Sequence, residues 1–372
     1  MKNKLTLLID GNWLLMSRLS KVKEKFDKTQ CVPEEIERAK YTLLDLLAQS
    51  IHKLINTYPD IIDNVLLVQD AGSWRKDFPQ PACVTDKYKG NREYDEDVTD
   101  WTAIWDTAEK FACALRSNNI LCVRDWKIEG DDWIAHWSRK LNSEGINTMI
   151  WSTDRDLQQL VNMNRDTAAW TAWYNNKGGL ILPKDCNEVD FDPVDFFLRY
   201  EEKDFVLDDL VNRTRQMGQP VEYIDAKNIL FEKVLCGDSS DNIAPIIVVN
   251  GNTRRQGVTK RDIKTILENN YSIDEFFAHK NDIITILYNT KKLSATTRTL
   301  QDIDEAFEYN KTLVFLNDSV LPEHYKTSIC QFDNDYKVCD IDYIKNNYKA
   351  LLGEYNDINI KDTLQTLIED LF

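Results

Sequence analysis

Nine carboxylates fall into short clusters whose spacing could hold metal ions. They are Asp10, Asp70, Glu129, Asp131, Asp132, Asp154, Asp156, Asp238 and Asp241. So many like charges repel one another at one site unless cations or protons neutralise them. Because the set offers only oxygen ligands, it favours Mg²⁺ or Mn²⁺ over zinc, and pairs of such ions serve attack of water on a phosphodiester. The alternative for any single aspartate is that it caps a helix.

Apolar runs place these acids at one edge of a predicted sheet. The runs are residues 5–9, 65–69, 120–123 and 148–151, and each is followed by acids. Stretches with helical spacing alternate with them at 34–56, 101–115 and 133–141, which predicts an α/β fold with a central, mostly parallel sheet flanked by helices. Open sheets of this kind bind ligands at the carboxyl ends of their strands.

Further patterns describe the rest of the chain. Residues 168–182 are typical of a hairpin, and 196–231 are predicted to be helical with a break near Gly218. Residues 71–100 form a loop too long for a mere connection, and helices are expected at 260–267, 273–287 and 300–309.

The composition limits the possible partners and compartments. The chain of 372 residues carries a net charge of -16, but binding of nucleic acid depends on local basic runs, which occur at 75–92 and 254–264. Each run could also be a solvated face. Eight cysteines without a C-x-x-C pair predict reduced thiols and a cytoplasmic protein, and no apolar stretch is long enough for a membrane span.

Several motifs in this order resemble the 5′-nuclease family, a PIN-like group. The family includes flap endonucleases, the 5′-nuclease domain of bacterial DNA polymerase I and the phage ribonuclease H enzymes. The matching segments are residues 8–11, Asp70 with Arg75, 88–92, 129–132, 152–156 and 237–242. Residues 74–78 and 309–314 are most similar to the ribonuclease H enzymes of T-even bacteriophages.

The resemblance implies a role for each matching residue. One magnesium ion would be held by Asp10, Asp70, Glu129 and Asp131, and the second would be surrounded by Asp132, Asp154, Asp156, Asp238 and Asp241. Lys89 and Arg92 would lie on an arch over the site and contact the scissile phosphate, although the alternative for residues 88–92 is an ordinary charged loop. Contacts with DNA are assigned to Arg75, Tyr88, Arg254, Arg255, Lys260 and Lys264.

The resemblance also implies a domain organisation. A PIN-like nuclease core is expected at residues 1–236, with a helical arch at about 71–105. A helical region that binds duplex DNA is expected at 237–325, and a C-terminal tail at 326–372. Family members grip duplex DNA through a potassium ion after the last acidic pair, but here residues 246–252 depart from that pattern, so a potassium site is not expected.

The end of the chain resembles a peptide that binds a sliding clamp. The residues concerned are Gln365, Ile368, Leu371 and Phe372. The alternative is a C-terminal helix that packs on the body of the protein through its apolar face.

The expected function is that of a magnesium-dependent 5′-3′ exonuclease and flap endonuclease acting on DNA and RNA–DNA duplexes with a 5′ end or flap. We expect a monomer that uses two Mg²⁺ ions, for which Mn²⁺ could substitute, and that removes lagging-strand RNA primers in phage replication in the host cytoplasm. A sliding clamp and a single-strand-binding protein are the expected protein partners. Two alternatives stay open: another PIN-like structure-selective endonuclease, and a non-catalytic DNA-binding subunit of the replisome.

Overall fold

The computed structural model describes residues 5–92, 94–186, 205–248, 257–290 and 298–357. Within these ranges one eight-stranded sheet has the order β3-β2-β1-β4-β6-β7-β8, with β5 paired to β6. The strands are β1 (Leu5–Asp10), β2 (Ile62–Val68), β3 (Leu121–Val123), β4 (Asn147–Trp151), β5 (Asn162–Met163), β6 (Trp170–Asn175), β7 (Gly179–Pro183) and β8 (Val221–Ile224). Strands β3, β2, β1, β4 and β6 run parallel, whereas β6 forms a hairpin with β7, as predicted.

Helices cover both faces of the sheet and form the second half of the molecule. In chain order they are α1 (Gly11–Leu19), α2 (Pro33–Thr57), α3 (Trp101–Arg116), α4 (Gly130–Ser143), α5 (Phe205–Gln216), α6 (Lys227–Cys236), α7 (Lys264–Glu268), α8 (Ile273–Ala278), α9 (Lys280–Thr290), α10 (Leu300–Val314), α11 (Glu323–Gln331) and α12 (Ile341–Asn346). None of the described helices is long and apolar enough to cross a bilayer.

Alternation along β1 explains how the sheet acquires two buried faces. Leu5, Leu7 and Ile9 pack into one core together with α2 and α3, whereas Leu8 packs into another with α4. Successive side chains of a strand point to opposite faces, so a strand buried on both sides needs a continuous apolar run. The strong apolar character of β1 therefore follows from its central position in the sheet.

The segment predicted to be a helical arch differs from that prediction. Between a short 3-10 turn at Trp74–Asp77 and the start of α3 at Trp101, the described residues contain no helix. Val84 and Tyr88 instead pack into a third core with α6 to α10. The buried Arg298 guanidinium donates to the Cys83 carbonyl at 3.1 Å, so this segment is fixed to the C-terminal half.

Two other parts of the chain were predicted incompletely. The stretch expected to be helical from 196 to 231 contains β8, which pairs with β7 after Gly218 and Pro220 interrupt the helix. Residues 326–357, expected within a tail, form most of α11, all of α12 and a 3-10 segment (Tyr348–Asp357). Leu351 and Leu352 are buried in the core that contains α2 and α3.

A candidate active site at the carboxyl edge of the sheet

Two predicted acids lie where adjacent parallel strands end. Asp10 ends β1 and caps α1, because its Oδ1 accepts from the Trp13 backbone N–H at 2.9 Å. Asp70 follows β2, and its Oδ1 accepts from the Gly130 N–H at 2.5 Å. A Cβ at Gly130 would lie 2.9 Å from that same oxygen, so glycine permits the start of α4 to approach Asp70.

Asp131 and Asp154 complete a group that we call the edge cluster, defined as Asp10, Asp70, Asp131 and Asp154. Ser152 connects two of its members: its hydroxyl donates to Asp10 at 2.7 Å and accepts from the Asp154 N–H at 2.9 Å. In the described part of the chain, no lysine or arginine makes an ion pair within 4.0 Å of these four carboxylates. Their negative charges therefore have no direct partner.

Burial and repulsion between carboxylates raise the pKa of Asp10, Asp70 and Asp131. Burial, followed by repulsion from Asp70 and Asp154, raises the pKa of Asp10 to about 7 despite hydrogen bonds that favour its charged form. Burial and the charges of Asp154, Asp10 and Asp70 raise the pKa of Asp131 well above its usual range. A divalent cation among these oxygens would relieve both costs.

Glu129 lies beside the edge cluster, but unlike those carboxylates it is paired with cations of the protein. Its carboxylate accepts from Arg75 at 2.6 Å and from Lys89 at 2.5 Å. Burial opposes ionisation, but the two cations outweigh it and lower the pKa of Glu129 to about 2. Glu129 is therefore ionised and already neutralised by the protein, which weakens the prediction that it is a principal metal ligand.

Asp132 and Arg75 require corrections. Both oxygens of Asp132 accept from the Arg75 guanidinium, at 2.7 and 2.9 Å, and one also accepts from the Trp74 indole at 2.9 Å. The two charged side chains are each 1% exposed. Asp132 was predicted to surround a metal ion and Arg75 to contact DNA, and both predictions are wrong because the pair is sealed beneath the site.

Tyr88 also differs from its predicted role in DNA binding. Its ring is buried in the core with the C-terminal helices, and its hydroxyl donates to Glu129 at 3.3 Å. A buried ring cannot stack on a base, so Tyr88 supports Glu129 instead. Its neighbour Lys89 adopts a positive φ of 51°, which turns the ammonium toward the same carboxylate.

The remaining acids form a second group around protein cations, which we call the paired cluster: Asp156, Asp238 and Asp241. Lys233 donates to both Asp156 and Asp238. Burial opposes ionisation of Asp238, but Lys233 outweighs it and lowers the pKa of that carboxyl to about 2. Burial and the charge of Asp154 raise the pKa of Asp156 to about 7, because one lysine cannot neutralise two carboxylates and a close third.

Asp241 connects the paired cluster to the predicted phosphate-binding segment. Its Oδ1 accepts from Arg92 at 2.6 Å, and its other oxygen is 3.8 Å from the Lys89 ammonium. The Asp241 carbonyl also accepts from the Lys89 N–H at 2.8 Å. Lys89 and Arg92, predicted to lie on an arch over the site, are thus in direct contact with carboxylates of the site, and their contact with the scissile phosphate stays a prediction.

The structure describes only part of the predicted DNA and clamp contacts. Lys260 and Lys264 have largely exposed side chains, as a contact with duplex phosphates requires. The other predicted residues, Arg254, Arg255, Gln365, Ile368, Leu371 and Phe372, lie outside the described ranges.

Sequence reasoning missed Lys233. The available signal was a lone cation in the last turns of the helix that precedes Asp238, five residues before that acid. Its contact with Asp156, which is 77 positions earlier in the sequence, depends on the packing of α6 against the turn after β4.

The donor chemistry of the edge cluster fits a hard divalent ion. In the described residues, the three ligand-type side chains whose atoms all lie within 4.8 Å of one another are Cys83, Asp302 and Glu305. The edge carboxylates are not all within that distance of one another. Because direct ligands lie about 2.0–2.1 Å from Mg²⁺, some of these carboxylates would reach the ion through water, as is common for Mg²⁺ sites.

Comparisons with known proteins agree with this architecture. Residues 5–188 match the family model of the 5′-3′ exonuclease N-terminal resolvase-like domain. The ribonuclease H of Enterobacteria phage T4 is 23% identical over 284 residues, which cover 74% of this chain and 70% of that protein. A bacteriophage T5 protein crystallised with metal ions has a TM-score of 0.50 at 14% identity, covering 90% of this chain and 98% of the other. The predicted α/β fold class is thereby confirmed.

Proposed function

The chain belongs to the family of 5′-3′ exonucleases and flap endonucleases, and from that premise we propose that it hydrolyses phosphodiesters in a magnesium-dependent, structure-specific reaction. The observation that carries the proposal is the edge cluster at the carboxyl edge of the sheet, whose four carboxylates repel one another and have no ion-pair partner among the described residues. A protein that only binds nucleic acid gains nothing from such a cluster, because it repels phosphate.

We assign different roles to the acidic and the basic residues of the site. Asp10, Asp70, Asp131 and Asp154 would hold Mg²⁺, with Mn²⁺ able to substitute, and the paired cluster would surround a second ion. When bound, such ions activate a water nucleophile and stabilise the leaving oxygen. Lys89 and Arg92 at the rim would orient the scissile phosphate and stabilise its developing charge.

The substrate is inferred from charge and from relatives. We propose that the exposed Lys260 and Lys264 contact phosphates of the duplex. Such contacts do not depend on base sequence and weaken as the salt concentration rises. Because a relative is named ribonuclease H and comes from a phage, we extend the proposal to RNA–DNA duplexes and to removal of RNA primers in phage replication. No potassium site is part of the proposal.

A substrate panel tests this function. Purified protein is offered a 5′-labelled flap, a matched 3′ flap and a 5′ RNA-primed duplex, each with magnesium and with chelator. We expect short products from the 5′ side in magnesium alone, and cleavage of both the flap and the RNA-primed duplex. Binding of these substrates without any cleavage would contradict the proposal and favour a non-catalytic subunit of the replisome.

The proposal for the C-terminus has its own test. Deletion of Leu371 and Phe372 should abolish binding to the cognate sliding clamp while leaving cleavage of the flap unchanged. Unchanged clamp binding would instead favour a C-terminal helix that packs on the body.

A further inference from the structure

The loop between β3 and α4 contains a largely exposed tryptophan, Trp126, close in sequence to the candidate active site. The side chain of Trp126 is 71% exposed, more than any other large apolar side chain in the described ranges. It precedes Glu129 by three residues, so their Cα atoms are at most about 11 Å apart. Single exposed apolar residues are common, so exposure alone does not indicate a function.

Backbone hydrogen bonds fix the loop, although the indole of Trp126 is largely exposed. The Lys127 N–H donates to the Ala71 carbonyl and the Trp74 N–H donates to the Lys127 carbonyl, each at 2.8 Å. The next residue, Ile128, is fully buried. Lys127 has a φ of 60°, an unfavourable conformation for a long side chain, which must be maintained by these contacts. The indole is therefore displayed by a fixed backbone.

One cation lies against the indole in an otherwise acidic molecule, and a second lies two residues before it in the sequence. The Lys127 ammonium lies 5.9 Å from the ring centroid and also pairs with the exposed Asp77 carboxylate. Arg124 donates through Nε to the backbone carbonyl of Asp70, an edge-cluster residue, at 3.3 Å, and its guanidinium makes an ion pair with Glu109 at 3.6 Å. Aromatic faces combined with cations are the features that bind unpaired nucleotides, since the ring stacks on a base and the cations contact phosphates.

We propose that Trp126 is a stacking platform for an unpaired nucleobase of the substrate, close to the scissile phosphate, and that it determines preference for a flap. This inference rests on the proposed function. It adds a residue that contributes to substrate binding and not to the chemical step. The base is recognised by its π face alone, so the contact tolerates any sequence.

Steady-state cleavage of a 5′ flap by W126A, W126F and wild type tests the inference. Stacking of one base contributes about 1–3 kcal/mol, so we expect W126A to raise KM roughly 5- to 150-fold with kcat unchanged. W126F should stay near wild type because it keeps an aromatic face. The matched control is Tyr343→Ala, which removes an aromatic side chain that is 51% exposed on α12.

Abasic substrates separate stacking from a merely structural effect. Removing the flap bases should raise the wild-type KM to that of W126A and should leave W126A unaffected. Independent, multiplying effects of the two changes would overturn the inference, as would an unchanged KM in W126A. A 5′ end without a flap should be cleaved equally by both proteins; equal losses there would assign the indole to the duplex and overturn the assignment to an unpaired base.

Failure of the proposed function is distinguishable from failure of this inference. If wild type cleaves no substrate, the proposed function fails. The anisotropy of a labelled flap oligonucleotide then tests the inference alone. Weaker binding by W126A than by wild type and Tyr343→Ala would support it, and equal affinity would overturn it.

Discussion

The edge cluster and the paired cluster contain the same residue type but differ in how their charge is compensated. In the paired cluster, Lys233 and Arg92 donate directly to carboxylates, and the pKa of Asp238 falls to about 2, although burial and the charge of Asp154 still raise that of Asp156 to about 7. In the edge cluster the pKa of Asp10 rises to about 7, because burial and neighbouring acids oppose its charge. The difference indicates that the edge cluster depends on a cation from solution, whereas the paired cluster is partly compensated by cations of the protein before any second ion binds.

The largest expected effect comes from neutralising one edge carboxylate. Asp131→Asn should lower kcat/KM roughly a thousandfold, since several kcal/mol of metal-dependent stabilisation would be lost. In the presence of chelator, the same change should raise the free energy of unfolding by about 1–2 kcal/mol. The reason is that it removes a buried carboxylate that neighbouring acids repel. Cleavage assays and chemical denaturation measure the two effects.

The control for that experiment is Asp166→Asn, at an exposed position in the turn after β5. It should change neither quantity. Loss of stability in Asp131→Asn would contradict the view that the edge carboxylates repel one another.

A second expected effect concerns the buried support of Glu129. Arg75→Met should lower the free energy of unfolding by about 3–5 kcal/mol, because it leaves the buried Asp132 charge without a partner. Urea denaturation measures this loss. Adding Asp132→Leu to the variant should recover much of it, whereas additive losses would show that the ion pair is not the cause.

The paired cluster can be tested through its exposed cation. Arg92→Ala should lower kcat about a hundredfold if the guanidinium stabilises the reacting phosphate, while folding is preserved because the side chain is half-exposed. Arg92→Lys should recover only part of the activity, since lysine loses the bidentate geometry. Equal activity of all three proteins would confine Arg92 to its contact with Asp241.

The last expected effect is on how the free energy of unfolding depends on pH when chelator is present. Asp10 has a folded pKa of about 7 against a usual value of 3.8, so the folded state holds the extra proton and stability should fall as pH rises through about 7. Asp238 has a folded pKa of about 2, so its contribution is present above its usual value of 3.8 and is lost as pH falls toward about 2.

Chemical denaturation between pH 2 and 8 in chelator distinguishes the contribution of Asp10, which is lost as pH rises, from that of Asp238, which is lost as pH falls. Stability should rise on leaving acid pH and then decline toward neutral pH. Asp10→Asn should reduce the decline without removing it, because Asp156 also has a raised pKa of about 7, and it should leave the loss of stability at acid pH unchanged. An undiminished decline in this variant would assign the decline entirely to other groups.

Much of the edge cluster was predictable because parallel strands end together. Apolar runs of the length of β1 and β2 specify buried strands, so Asp10 and Asp70 had to lie at one edge. Local sequence alone determines these positions. The same logic predicted the hairpin of β6 and β7 from its turn residues.

The charge partners could not be predicted in the same way. Asp132 adjoins Asp131 in sequence, yet one faces the edge cluster and the other is paired with Arg75. The rotation of α4 decides between these two environments, and that rotation is set by packing of its buried tryptophans. Lys233 likewise meets Asp156 only after distant segments pack together.

The measurement that tests the central claim most directly is the gain in unfolding free energy on addition of magnesium at pH 8, for wild type and Asp131→Asn. An ion bound only by the folded state stabilises it by about 2.7 kcal/mol at a concentration one hundred times its Kd. We predict this gain for wild type and its loss in the variant. Equal gains in both proteins, or no gain in wild type, would contradict the assignment of the metal to the edge cluster.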